Sequence, residues 1–347
     1  MLDNNKIKNL LLEMTKSPLF YLFVASKELF HSNFLYWLSI INKNEFLKLI
    51  CPLCELGNET NIEREKNVAF KEIKAKIDIY ISGSNSKNII IENKVKDYPE
   101  IEQLHRISNA FEFNNNNKYI LLTLFTDEYL TFLGWDILTY KELSNRIVPE
   151  KFSNNDYFKS LIHDYKKFIN TLALFSESLK TSNDYDFAID YDKELFNLLN
   201  SYNLWESFQK MRASHLISFY KKRYERDNIK VRSSINNQKA TIDFFVEIMK
   251  NTEIGIQIEN NQYRKFINTD NATIKIMSLI DESIFFSKSF RSPQNKLYLN
   301  YGERFKYQYD KINNPVAMDL LFKSINSELS DSVINNLEKI RNILNCN

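Results

Sequence analysis

A chain of 347 residues with 44% hydrophobic and 26% charged residues can bury two cores of ordinary domain size, which excludes a disordered chain and a small disulfide-stapled one. Its formal charge of +2 decides little about partners, because a local basic face can coexist with a nearly neutral total. No apolar run reaches membrane-spanning length, and residues 1–16 carry Asp3 and Glu13 with no small-residue cleavage site, so no membrane partner and a cytoplasmic location are expected.

In chain order, residues 4–56 have helical spacing, densest in Leu19-Phe20-Leu22-Phe23 and in Phe34-Leu35-Trp37-Leu38. Near the end of this stretch, Cys51-Pro-Leu-Cys54 has the spacing of half a zinc site but lacks a second half, so two buried thiols in a reducing cytosol are expected. The texture then changes to strands over 61–69, 73–82 and 88–91, with Gly83-Ser84-Asn85-Ser86 as the turn between the last two. Helical spacing returns over 100–113, an apolar strand follows over 118–125, and 135–146 reads as a short strand running into a helix. A long amphipathic helix over 154–178 ends at the polar stretch Thr181 to Asp184, where we place the boundary between a domain of residues 1–180 and one of residues 181–347. Beyond it come helices over 191–226 and strands over 229–233, 241–249 and 253–259.

The stretch that carries chemistry is Lys76-Ile77-Asp78-Ile79-Tyr80-Ile81, a turn, then Ile89-Ile90-Ile91-Glu92-Asn93-Lys94. Side chains alternate along a strand, so Glu92 and Lys94 share a face, and a hairpin partner brings Asp78 beside them. Clustered carboxylates on rigid strands suit a hard divalent cation, which binds through oxygen and keeps several waters. An adjacent lysine can orient the attacking water and offset charge building on a phosphate. Acids and lysines facing each other on a hairpin are also an ordinary solvated surface. The uninterrupted Ile89-Ile90-Ile91 weighs against that alternative, since a strand without polar alternation is covered on both faces and charges at its mouth need partners.

These runs, followed by Glu102-Gln103-Leu104-His105-Arg106 and preceded by Glu28-Leu29-Phe30-His31-Ser32-Asn33-Phe34-Leu35, resemble the PD-(D/E)XK nuclease superfamily, and in particular a bacterial and phage branch with an E..HS.FL helix. The matches fall in the expected order over roughly residues 20–150 and include the Tyr119 to Phe125 strand and the Trp135 to Leu143 stretch. The resemblance implies a restriction-endonuclease-like α/β core, a mixed central sheet flanked by helices, that cleaves DNA with Mg²⁺ or Mn²⁺; RNA is the other possible substrate. It implies that Asp78 and Glu92 are metal ligands with the main-chain carbonyl of Asn93, and that Lys94 positions the water. By the same resemblance Gln103 holds Lys94 or a phosphate, Glu28 reaches the metal through water, and Glu65 is an accessory acid on the first strand.

The chain departs from the branch at Ile77, where a proline is usual, at Ile107, where a tyrosine is usual, and at Ile41-Asn42-Lys43-Asn44, which replaces a Pro and His-Gly loop whose roles do not transfer. His31, alone on an apolar helix, is expected to pack rather than to bind metal. Lys96, His105 and Arg106 follow the Glu-x-Lys strand on the side where a phosphate backbone would approach, and are candidate nucleic-acid contacts.

In the second half, Ile242-Asp243-Phe244-Phe245-Val246 and Gly255-Ile256-Gln257-Ile258-Glu259-Asn260-Asn261 echo the same pattern with Asn261 in place of the lysine. The second domain is therefore expected to be α+β, serving binding, homodimer formation or as a degenerate copy of the nuclease unit. The alternative for the whole protein is a nuclease-fold module that grips nucleic acid or a protein without cleaving.

Overall fold

The computed structural model describes residues 3–53, 59–70, 72–83, 87–99, 101–111, 116–125, 134–180, 193–224, 229–236, 239–249, 252–259, 262–269, 291–293 and 298–306. The chain divides into two compact units, one formed by Asp3–Lys180 with Lys193–Met211, the other by Met1–Leu2, Thr181–Asp192 and Arg212–Asn347. The polar stretch at which the sequence places the domain boundary lies outside the described residues.

In the first of these units the helical opening is cut into four pieces by its own capping residues. Helix α1 (Asn4–Met14) starts where the Asp3 carboxylate accepts the N–H of Lys6. Helix α2 (Pro18–Ser26) starts at Ser17, with Pro18 in the first turn where no N–H is needed. Helix α3 (Glu28–Ile41) follows a single residue, Lys27, whose φ of 41° breaks the run. Helix α4 (Lys43–Ile50) is capped by Asn42, whose side chain accepts the N–H of Glu45. Just past it Cys51 is buried and disulfide-bonded, which corrects the expected free thiol there; Cys54 lies outside the described residues.

A five-stranded sheet follows, built from β1 (Thr60–Phe70), β2 (Ile73–Gly83), β3 (Asn88–Lys94), β4 (Asn117–Thr123) and β5 (Trp135–Thr139) in that spatial order. The β1–β2 and β2–β3 pairs are antiparallel, whereas β3–β4 and β4–β5 are parallel. A parallel pair needs a crossover, and helix α5 (Ile101–Asn109) lies in the connection from β3 to β4. Helix α6 (Tyr140–Arg146) leaves β5 through a reciprocal cap between Thr139 and Glu142. Helices α7 (Pro149–Phe152), α8 (Asp156–Glu177), α9 (Lys193–Ser201) and α10 (Trp205–Tyr224) complete the described helices, the division between units falling inside α10. This mixed sheet flanked by helices is the restriction-endonuclease-like α/β architecture expected from the sequence.

The strand at its centre is covered on both faces, as its composition requires: Ile89, Ile90 and Ile91 are all fully buried. Alternation sends Tyr80 and Glu92 toward α5, where Phe111 stacks on Tyr80 at 5.7 Å and Gln103 reaches Glu92. It sends Asn93 to the opposite side, against α3. Helix α3 is wedged between the sheet and α8 by stacked rings, Phe34 lying 3.8 Å from Tyr165.

The other unit contains a six-stranded sheet of β6 (Lys230–Asn236), β7 (Lys239–Met249), β8 (Thr252–Glu259), β9 (Gln262–Thr269), β10 (Arg291–Pro293) and β11 (Tyr298–Lys306), in the order β10-β11-β9-β8-β7-β6. Every pairing is antiparallel. The expected echo of the first half is therefore one of texture and not of topology, because the nuclease-like sheet needs parallel pairs that this meander lacks. Gly255 on β8 is required by packing, since a Cβ there would lie 2.2 Å from the Phe244 carbonyl oxygen.

Ile90 sits in the middle of the central strand and is fully enclosed. Replacement by Ala is expected to lower stability by about 2–5 kcal/mol through lost burial and a residual cavity. Urea unfolding followed by circular dichroism measures this, and a change below about 1 kcal/mol would show that β3 is not the centre of a packed core.

Candidate active site

The site lies where two neighbouring strands part. The β2–β3 ladder runs from Ser82↔Asn88 to Ile79↔Ile91 and stops, although β3 continues beside β4 through Lys94↔Thr123. Past the stop, the N–H of Asn93 donates to the Asp78 carboxylate Oδ2 at 2.7 Å instead of to a backbone carbonyl of β2. The fork thus opens between Asp78 and Glu92. The sequence brings this about by placing an aspartate, whose side chain can take over a backbone partner, at the point where the apolar run of β3 ends.

On the fork's α5 side, Glu92 Oε1 accepts from Gln103 Nε2 at 2.6 Å and lies 3.1 Å from Lys94 Nζ. Among the described residues, Asp78 Oδ1 and Glu92 Oε2 take no hydrogen bond, so each carboxylate presents one unengaged oxygen. Burial pushes the Asp78 carboxyl up to about 6, the Asn93 N–H and Lys94 only partly opposing it. Burial, then the charge of Asp78, pushes Glu92 up to about 7. For Lys94 burial works against the charge, but Glu92, Glu28 and Asp78 together hold its amine above its ordinary value, so it stays an ammonium.

Glu28 closes the mouth from the other side, in the first turn of α3. Its Oε1 accepts the N–H of Val95 at 3.3 Å, and its main-chain carbonyl accepts from Asn93 Nδ2 at 3.0 Å. The Asn93 amide is held at three points, donating also to Ser32 Oγ at 3.2 Å and accepting from Tyr140 at 2.6 Å. Burial first, then Tyr165 and Glu28, raises the Tyr140 hydroxyl well above its ordinary value, which keeps it a neutral donor. Sequence reasoning assigns no role to Ser32 or Tyr140; both fall in the stretches that carry the family resemblance, which is the signal that could have found them.

The structure thus brings together Asp78, Glu92, Asn93, Lys94, Gln103 and Glu28. Glu65 is placed differently: it sits opposite Asp78 on β1 with φ of 53°, interrupting the ladder, and its carboxylate is ion-paired with Lys76. His31 is buried, its Nδ1 3.1 Å from the Tyr165 hydroxyl, and burial lowers it to about 3, so it is a neutral packing residue, as the sequence suggests. Lys96 is half-buried just beyond the fork, whereas His105 and Arg106 lie on the exposed side of α5.

Two oxygens unengaged among the described residues, from acids that burial holds above their ordinary pKa, with the charge of Asp78 adding to the rise of Glu92, fit a divalent cation, which binds through one or two carboxylates. Among the described residues no three His, Cys, Asp or Glu side chains converge. The side chains that could hold a cation there are Asp78 and Glu92.

A mixed sheet with two acids and a lysine at the fork of its central strands defines a nuclease-like α/β protein. Residues 19–167 match the model of the PD-(D/E)XK nuclease superfamily, and the match supports membership of this superfamily for that segment. No curated protein and no solved structure matches the chain.

Two outcomes are expected from this geometry. Because Asp78 and Glu92 bind protons more tightly folded than unfolded, their contribution to stability is fully present below about pH 4, the unfolded range, and is lost as pH rises through about 6 to 7. Melting without divalent ions should fall over that window, Mg²⁺ should restore it increasingly toward pH 8, and Asp78→Asn with Glu92→Gln should flatten both effects; identical profiles would refute the raised values. Tyr140→Phe leaves the buried Asn93 Oδ1 without its donor and should cost about 1–3 kcal/mol in urea unfolding. It should also move the Asp78 titration, followed by NMR, further upward as the Asn93 N–H loosens; an unmoved Asp78 would show that the Asn93 clamp does not govern the fork.

Proposed function

We propose that the unit containing the fork hydrolyses phosphodiester bonds within DNA, as an Mg²⁺- or Mn²⁺-dependent endonuclease. The observation that supports this most is the pair of carboxylates, half-buried Asp78 and buried Glu92, each with one oxygen unengaged among the described residues and with Lys94 drawn to Glu92. When bound, the cation supplies charge stabilisation at the phosphoryl oxygen and lowers the pKa of a water. Asp78, Glu92 and the Asn93 carbonyl hold it. Lys94, kept as an ammonium, orients the attacking water by hydrogen bonding and offsets the negative charge that develops as the phosphorus–oxygen bond to the leaving group breaks. Gln103 fixes the Glu92 oxygen that Lys94 also touches, so that the amine is positioned before substrate arrives. Glu28 reaches the site from α3, and Lys96 stands at its edge to meet a backbone phosphate. Cleavage within DNA suits a role in restriction, phage defence or a mobile element.

The experiment is incubation of the purified protein with supercoiled, linear and single-stranded DNA and with RNA, with and without Mg²⁺. Supercoiled DNA should be cut only with the metal, and Asp78→Ala and Glu92→Ala should abolish the cut while remaining folded. Lys94→Ala should bind Mg²⁺, and DNA in Ca²⁺, at least as well as the unmodified protein, yet cleave at least about a hundredfold more slowly in single turnover. Cleavage of RNA alone would replace the substrate. Failure to cut any nucleic acid, with weaker DNA binding in Lys94→Ala, would mean a binding module.

A further inference from the structure

Three lysines from separate stretches of the chain lie beside the fork, and one of them comes from outside the segment that matches the superfamily. Lys27 immediately precedes Glu28, whose carboxylate accepts the N–H of Val95. Lys96 immediately follows Val95. Lys210, on α10, stands 3.6 Å from Asp97 and 3.3 Å from Glu206. Both contacts are longer than the 2.7–2.9 Å of a well-formed charge-assisted bond, and the ammonium is shared between these two acids.

Lys27 has a shape suited to holding a charge in place. Its backbone, at φ of 41°, forms the one-residue joint between α2 and α3, and its N–H is fixed by the Phe23 carbonyl at 2.6 Å. Its amine is half-buried, and burial, then the charges of Lys96 and of Lys210, lower its pKa, with Glu206 and Glu28 acting the other way. Lys27 thus lies within electrostatic reach of two other ammonium groups, whose repulsion Glu206 and Glu28 offset and a further anion would reduce.

From this placement we infer that Lys27, Lys96 and Lys210 form a phosphate cradle, which holds the DNA backbone beside the scissile bond and makes α10 part of the substrate site. The inference rests on the nuclease reading and adds a location and a donor helix to it. The cradle follows the β3 strand out of the site, so a strand whose scissile phosphate faces Glu92 and Lys94 passes its neighbouring phosphates over Lys96 and Lys210. Asp97 and Glu206, which share Lys210 in the free protein, give it up when a phosphate arrives.

Counterion release makes this measurable without cleavage. The affinity of the full chain for a short DNA duplex is measured in Ca²⁺ across a range of salt concentrations, for the unmodified protein, Lys27→Gln, Lys210→Gln and the double variant. Each lost lysine should lower the slope of log affinity against log salt by about 0.9, and the double variant should bind roughly 10- to 30-fold more weakly at about 0.15 M salt. In Mg²⁺ the loss should fall on KM rather than on kcat. Lys27→Arg and Lys210→Arg should keep the slope, which guards against a fold defect at the Lys27 joint, and Lys74→Gln, which removes an exposed amine of β2, should leave it unchanged. A protein that binds and cleaves DNA with the same slope in the double variant overturns the cradle alone. A protein that neither binds nor cleaves any nucleic acid overturns the nuclease reading and the cradle with it.

Discussion

The hydrogen bond from the Asn93 N–H to the Asp78 carboxylate is the constraint on which the site depends. A central strand cannot leave its sheet without orphaning backbone groups, and each orphan in a buried place costs free energy comparable to a lost hydrogen bond. β3 solves this asymmetrically. It stays paired with β4 to Lys94 while β2 parts from it after Ile79, and the aspartate side chain replaces the missing partner. The consequence is a half-buried carboxylate with one oxygen occupied by a structural task and the other, among the described residues, left over. Glu92, directly across the fork, is in a similar state, one oxygen shared by Gln103 and Lys94 and the other unengaged among the described residues. The acids are thus brought together by the requirements of strand pairing, and their charge is left for something else to balance.

What keeps the fork open is the packing behind it. Asn93 cannot turn, because Tyr140, Ser32 and the Glu28 carbonyl hold its amide from two helices. Tyr140 lies in turn against His31 at 4.8 Å, and His31 bonds to Tyr165 on α8. This chain of neutral polar groups is buried, so every member that lost its partner would be exposed to the full desolvation cost. His31 serves this scaffold as an uncharged ring: burial holds it at about 3, and its neighbours are aromatic. This network of buried polar groups thereby fixes the residue whose main-chain N–H holds Asp78.

Much of this arrangement is legible in the sequence. The apolar run of Ile89 to Ile91 implies a strand covered on both faces, the two-residue alternation puts Glu92 and Lys94 on one side, and the turn between β2 and β3 sets Asp78 opposite Glu92. These are properties of local geometry, which a sequence expresses directly. The Asn93 clamp is not legible there, since it joins residues 61 and 47 positions apart and depends on packing angles that no periodicity encodes. Lys210 is hidden for the same reason, as its nearness to Asp97 is a matter of helix placement. The caps that divide the N-terminal helices, Ser17-Pro18 and Asn42, are present as signals but are masked by the continuous apolar spacing around them.

The other unit shows why acid-ended strands are not by themselves a reaction centre. Asp243 on β7 matches Asp78 in texture, but the ladder sets it opposite Gln257 and not Glu259, and the pairing continues through it without a fork. Both of its oxygens are already engaged, Oδ1 by Gln257 at 2.8 Å and Oδ2 by Arg232 at 3.1 Å, and Arg232 also ties down Glu253. Burial raises this carboxyl, with Arg232 foremost among the groups opposing the rise, so the charge is balanced by a fixed guanidinium and no oxygen is left for a cation. An arginine that is part of the sheet neutralises its acid in place, whereas one lysine beside two half-engaged acids leaves a carboxylate charge unmatched, which holds their pKa values up. It is the parting of two strands, which leaves carboxylate oxygens over, that separates the fork from a network that only holds a sheet together.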